Sequence, residues 1–236
     1  MPNESLQVLM NFILFVIVVV VGLIILRIVT KIPGYVFRKL LHMIAVFAIF
    51  PLMYAPSSWQ KALLVDAILI VVIVVLLLLA ERLSFYKTFF MEKGKHEVVT
   101  SFVLLLSMFA LFTLIFWGIL GESYKYIPIV ATMAWGPGDA MAAIVGITYG
   151  KRKLSGKWIE GTKSVEGCVA MALTSMICTA VTLYILGPYD IVIMIPISVI
   201  VGIIAMFTEL FTKRGMDTVT VPIVSSMVLY LMSVIL

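Results

Sequence analysis

Long apolar runs separated by short charged ones dominate the chain from end to end. Runs of membrane-spanning length predict eight helices, near 8–29, 41–54, 60–80, 98–120, 127–147, 165–186, 191–208 and 219–236. The second run is short, and the fifth is interrupted by Gly136-Pro137-Gly138, which predicts a helix broken there. Either feature makes seven or nine spans compatible with the pattern. The expected fold is all-α: a polytopic integral membrane bundle of about eight helices, forming a single membrane-embedded domain over residues 1–236. The first run lacks the basic flank and the shortness of a secretory leader, so it reads as a retained helix.

Composition agrees. Of the 236 residues, 63% are hydrophobic and 12% charged, against nearer half and a quarter in a soluble domain, so the bilayer must solvate most of the side chains. The net charge of +5 does not point to nucleic acid, because the basic residues form no long stripe and no nucleic-acid motif. Cys168 and Cys178 lie in one apolar run, about 15 Å apart if helical, too far to bridge and without metal-ligand spacing.

The charged runs give orientation. Arg27, Lys31, Arg38 and Lys39 fall between runs one and two. Arg82, Lys87, Lys93 and Lys95 fall between three and four. Lys151, Arg152, Lys153, Lys157 and Lys163 fall between five and six, and Lys213 and Arg214 between seven and eight. All but Lys61 and Lys125 of the 17 basic residues therefore sit in alternate loops, which should be cytoplasmic, with both termini on the other side.

Those same loops hold the candidate chemistry. Asp139 follows the expected break, and an acid flanked by apolar sequence marks a site by default. Asp139, Ala142, Ala143, Gly146 and Gly150 place small residues on one helical face, which admits another helix closely; the plainer alternative is an Asp cap with packing glycines. In Gly161-Thr162-Lys163-Ser164-Val165-Glu166-Gly167, the spacing predicts Lys163 and Glu166 on one face at a helix start. There Lys163 would hold phosphate and Glu166 a magnesium ion, although the P-loop spacing is absent. The bland alternative is an interfacial ion pair.

Lys151, Arg152, Lys153 and Lys157 form a basic loop suited to a triphosphate or to lipid headgroups. Arg38, Lys39 and His42 open the second run, with Arg38 and His42 on one face; His42 is a candidate to take a proton from a lipid hydroxyl or to contact phosphate. Glu209 and Asp217 return to the same side and, with Asp139 and Glu166, offer oxygen ligands for magnesium. His96 reads as a solvated loop residue, Glu81 and Arg82 as an interfacial pair, and Asp66 as structural or snorkelling.

In this order, the motifs resemble the polyprenol kinase family, which includes dolichol kinase, phytol kinase and CTP-dependent diacylglycerol kinase. The resemblance runs from Arg38 to Pro222 and rests on Arg38-Lys39-x-x-His42, Gly138-Asp139-x-x-Ala142-x-x-x-Gly146-x-x-x-Gly150, Lys163-Ser164-x-Glu166-Gly167 and Glu209, Asp217 and Pro222. It implies a magnesium-dependent transfer of a nucleotide's γ-phosphoryl group, typically from CTP, to the hydroxyl of a lipid or isoprenoid alcohol at the cytoplasmic face. His42, Asp139, Lys163 and Glu166 are then the catalytic candidates. Arg38, Lys39, Gly146, Gly150, Lys151, Lys153, Lys163 and Ser164 are the nucleotide-binding ones, and Asp139, Glu166, Glu209 and Asp217 the metal ligands. Two departures stand out: Ala143 replaces the second Asp of the phytol kinase branch, and Asp217-Thr218 replaces the family's Asp-Asn. A phosphatidate cytidylyltransferase would use a similar site, and a broken helix with an intramembrane acid also suits a transporter or lipid-binding protein.

Overall fold

The computed structural model describes residues 32–82, 96–160, 163–213 and 215–236, together with Tyr86 and positions 7, 10, 14, 18, 21–22, 25–27 and 29–30 of the first apolar run. Most of the expected first helix lies outside the described residues, as do Lys31, Lys87, Lys93, Lys95, Gly161, Thr162 and Arg214. The described residues are helical with no sheet, and seven helical stretches among them are long and apolar enough to cross a membrane. The chain divides into two compact units, Met1–Gly121 and Glu122–Leu236.

In the first unit, α1 (Gly34–Phe47) and α2 (Ile49–Tyr54) form one span. Pro51 explains the joint between them, because its ring crowds the carbonyl four residues back, at Phe47. The helix starts at Gly34 behind Pro33, well before the expected 41, so Arg38, Lys39 and His42 lie inside it rather than at its opening. The apolar run misled because two basic residues interrupt it, whereas a proline beside the first turn is compatible with a helix start.

Helix α3 (Trp59–Ala80) is capped by Ser58, whose Oγ accepts from the Lys61 amide at 3.4 Å. Helix α4 (Glu97–Phe112) continues as a π-helical stretch, Thr113–Ile119, and packs against α3. Arg38 donates to Glu97 at 3.1 Å, tying α1 to α4. His96 is more than a solvated loop residue: its Nδ1 lies 2.6 Å from the Glu81 carboxylate, so Glu81 has a partner other than its neighbour Arg82. Asp66 does not snorkel. It is 2% exposed, and among the described residues neither carboxylate oxygen has a hydrogen-bond partner.

The second unit is built around α5 (Tyr126–Thr148), which α6 (Val165–Leu186), α7 (Ile191–Phe211) and α8 (Asp217–Ile235) surround. The expected break at Gly136-Pro137-Gly138 is absent: α5 runs unbroken through Pro137. A proline removes one hydrogen bond from a helix, and in a membrane neighbouring helices and hydroxyls can offset that loss. Pro137 leaves the Met133 carbonyl without its helical donor, and beside it Ser175 of α6 donates to the Ala134 carbonyl at 2.6 Å, bracing the turn before the proline against its neighbour. Gly138 makes room for this contact, since a Cβ there would lie 2.4 Å from the Ser175 Oγ.

Candidate active site

Helix α5 presents Asp139, Ala142, Ala143, Gly146 and Ile147 to a cavity of about 120 Å³. These positions follow the three–four spacing of one helical face, as the sequence led one to expect for the first four. Lys163, Ser164, Gly167 and Cys168 line it from the start of α6, and Glu209 from the last turn of α7. Asp139 is 8% exposed, so the acid is buried in the wall rather than displayed at the surface.

The close approach of α5 and α6 shapes this wall. A Cβ on Gly167 would stand 2.9 Å from the Ala142 carbonyl oxygen and 3.4 Å from the Gly146 Cα. Without side chains there, the backbones meet and the flanking groups converge, as small residues allow in membrane bundles. Ser164 caps α6, its buried Oγ accepting from the Gly167 amide at 3.2 Å. Gly150 does not line the cavity; a Cβ there would meet Gly146 and Ser164, so the space it leaves serves packing.

Lys163 donates from Nζ to the Glu209 Oε1 at 2.8 Å and also to the Glu209 main-chain carbonyl. The second bond reaches a carbonyl in the last turn of α7, which also accepts from the Thr212 amide at 3.3 Å, at a helix end that favours a cation. The pair is largely enclosed, the two side chains being 21% and 13% exposed.

Glu166 does not share a face with Lys163. Ser164 is the extended N-cap, so Lys163 precedes the helix and helical spacing does not relate the two residues. Glu166 instead accepts from the Arg152 backbone amide and Nε, each at 3.2 Å, and it does not line the cavity. The Leu154 amide bonds the Lys163 carbonyl at 2.9 Å, and the Val165 amide bonds the Arg152 carbonyl at 3.0 Å. The basic loop is thereby folded back onto the start of α6. Arg152 thus has a defined place that its membership of a basic run did not signal.

Lys153 reaches toward the Gly146 carbonyl, at 3.5 Å, and Lys151 is exposed. Lys157 and Lys213 flank the exposed Trp158 ring at 5.9 and 5.8 Å. Asp217 opens α8 and does not line the cavity. Arg38, Lys39 and His42 stand on α1 in the first unit. Of the four carboxylates expected to bind metal, the cavity joins Asp139 and Glu209 only. Among the described residues, no three His, Cys, Asp or Glu are grouped as a metal site. Two hard oxygen donors still fit magnesium, which commonly takes one or two carboxylates and fills its remaining positions with phosphate and water.

No model of a known protein family matches the chain, and no solved structure matches it. Among curated proteins it is similar to a phytol kinase from Synechocystis sp. (strain ATCC 27184 / PCC 6803 / Kazusa), with 31% identity over 100 residues. That match covers 42% of this chain and 40% of the relative's own length, so the likeness spans about two fifths of each protein.

Proposed function

We propose that the chain is a membrane phosphotransferase that moves the γ-phosphoryl group of a nucleoside triphosphate, CTP by resemblance, to the hydroxyl of an isoprenoid or other lipid alcohol. The observation that carries this reading is the convergence of Asp139, Lys163 and Glu209 on one cavity. Phosphoryl transfer depends on charge neutralisation and alignment more than on covalent participation by the protein. Lys163 would grip phosphate oxygens, and Arg152 and Lys153 on the loop folded against the start of α6 would add positive charge. Asp139 and Glu209 would hold magnesium, which when bound would neutralise phosphate charge. The likeness to a phytol kinase favours an isoprenoid alcohol as acceptor. The basic loop at this end of the second unit favours a cytoplasmic site.

Purified protein supplied with CTP labelled at both the α and the γ phosphorus, magnesium, and phytol, polyprenol or diacylglycerol tests this. The expected product is a lipid monophosphate carrying only the γ label, with CDP released. A CDP-lipid carrying the α label, with pyrophosphate released, would make the protein a cytidylyltransferase instead. Lys163→Ala should abolish turnover while the protein still inserts and remains monodisperse. A variant with near-normal rate would remove Lys163 from the mechanism.

A further inference from the structure

The Lys163–Glu209 pair joins the two groups that the proposed reaction would use separately, one toward an anion and the other toward a cation. Lys163 makes two hydrogen bonds to Glu209, one to the carboxylate and one to the main chain. A phosphate oxygen arriving at the Lys163 Nζ must therefore compete with the Glu209 carboxylate. A divalent cation arriving at Glu209 must likewise compete with the Lys163 ammonium. We infer that this pair is an exchangeable latch: polyphosphate and divalent cation each release the residue that the other needs, so the two bind with positive coupling. The inference rests on the reading of the cavity as a nucleotide site.

Three observations give the latch its strength and direction. Its side chains are 21% and 13% exposed, so solvent screens the pair less than it would a surface contact. Both residues line the same cavity, so a ligand there meets the pair directly rather than through an intermediary. Lys163 immediately precedes the extended α6 cap Ser164, outside the helix, while Glu209 lies in the last turn of α7. The lysine side chain can therefore turn to a phosphate without unwinding either helix. Asp139, in the same wall, supplies a second carboxylate for a cation that Lys163 no longer excludes.

Linkage makes such coupling reciprocal, and coupled sites typically change each other's affinity about 5- to 150-fold. The test measures each ligand alone, so that no metal–nucleotide complex forms in solution. Radiolabelled CTP in excess EDTA is bound to the full-length chain in detergent, and Mn²⁺ without nucleotide is followed by its paramagnetic resonance. Glu209→Gln should bind metal-free CTP at least about fivefold tighter than wild type. Lys163→Met should bind Mn²⁺ alone tighter by a comparable factor. Lys163→Gln, which keeps a donor for the Glu209 carbonyl, provides the same Mn²⁺ measurement if the Met variant fails to fold.

If wild type and variants bind each single ligand equally, the latch is overturned even where wild type phosphorylates a lipid alcohol. If Mn²⁺ binding rises in the Lys163 variants while no protein binds CTP, the exchange of Lys163 for a cation stands and the nucleotide reading falls.

Discussion

Gly167→Ala tests the contact that brings the site together. The new Cβ would lie 2.9 Å from the Ala142 carbonyl oxygen and 3.2 Å from the Ser164 Oγ. The first neighbour is backbone of α5 and cannot rotate away, so α5 and α6 must part by several tenths of an ångström, since relaxed C···O contacts run about 3.3–3.6 Å. Overpacking of this kind costs about 1–3 kcal/mol. Alanine returns up to about 1 kcal/mol of helix propensity, but less near a helix start. The Ser164 cap, worth about 1 kcal/mol, is strained as well, because Gly167 supplies the amide it accepts from. The net expectation is a loss of about 1–2 kcal/mol, together with reduced turnover as Lys163 moves relative to Asp139.

Gly146→Ala is the matched comparison on the facing helix. Its nearest neighbours are the Ser164 Oγ at 3.3 Å and the Gly167 Cα at 3.8 Å, which a small adjustment relieves. Propensity then offsets crowding, and stability should change by less than about 0.5 kcal/mol. Reversible unfolding in mixed detergent–SDS micelles, followed by tryptophan fluorescence, measures both variants. Equal losses, or a neutral Gly167→Ala, would mean that the two backbones do not meet at Gly167.

Ser175→Ala removes the donor to the Ala134 carbonyl and should cost about 0.5–1.5 kcal/mol in the same assay, since interhelical hydrogen bonds in membranes contribute modestly; a larger loss would show that the bond holds the proline-containing turn in place. Asp66→Leu removes a buried carboxyl with neither oxygen hydrogen-bonded among the described residues, so stability should rise, by about 1–3 kcal/mol from the relieved polar burial. A fall would reveal a partner for Asp66. Glu166→Gln weakens the grip on Arg152, so limited trypsinolysis should cleave the loop at Lys151–Lys157 faster than in wild type, while Mn²⁺ affinity stays unchanged. Loss of Mn²⁺ binding with an equally protected loop would return Glu166 to the role of metal ligand.

Apolar length alone marked α3 to α8 to within a few residues, because a spanning helix must be continuous and apolar for about 20 positions. It failed at α1, where Arg38 and Lys39 interrupt the run although the helix already extends through them. It also failed at Pro137, whose cost in an isolated helix is real. What a sequence window does not contain is Ser175, 41 residues away, donating into the turn ahead of that proline. Asp66 shows the reverse case. Its place near the start of α3 left a structural role and a side chain reaching for water both open, but which side of the helix is covered decides exposure, and Asp66 falls on the covered side with Ala62, Val65 and Leu69.

The candidate site divides along the same line. Asp139, Ala142 and Gly146 were legible as one face because helical spacing holds throughout α5. Lys163 and Glu166 were paired by the same rule in a place where it does not apply. An N-cap serine is extended, so the residue before it leaves the helical register, and Lys163 turns to α7 while Glu166 turns to the loop. A serine directly before an apolar run is itself a readable N-cap signal that the register begins after the serine. Read that way, Lys163 becomes a loop residue in need of an acid, and the acids that return to the same end of the second unit become its candidates. Glu209 takes it because it lies in the last turn of α7, where a main-chain carbonyl and a carboxylate from one residue both face the ammonium. Asp217 begins α8, and a helix start favours an anion, whereas a helix end adds main-chain carbonyls that a cation can use.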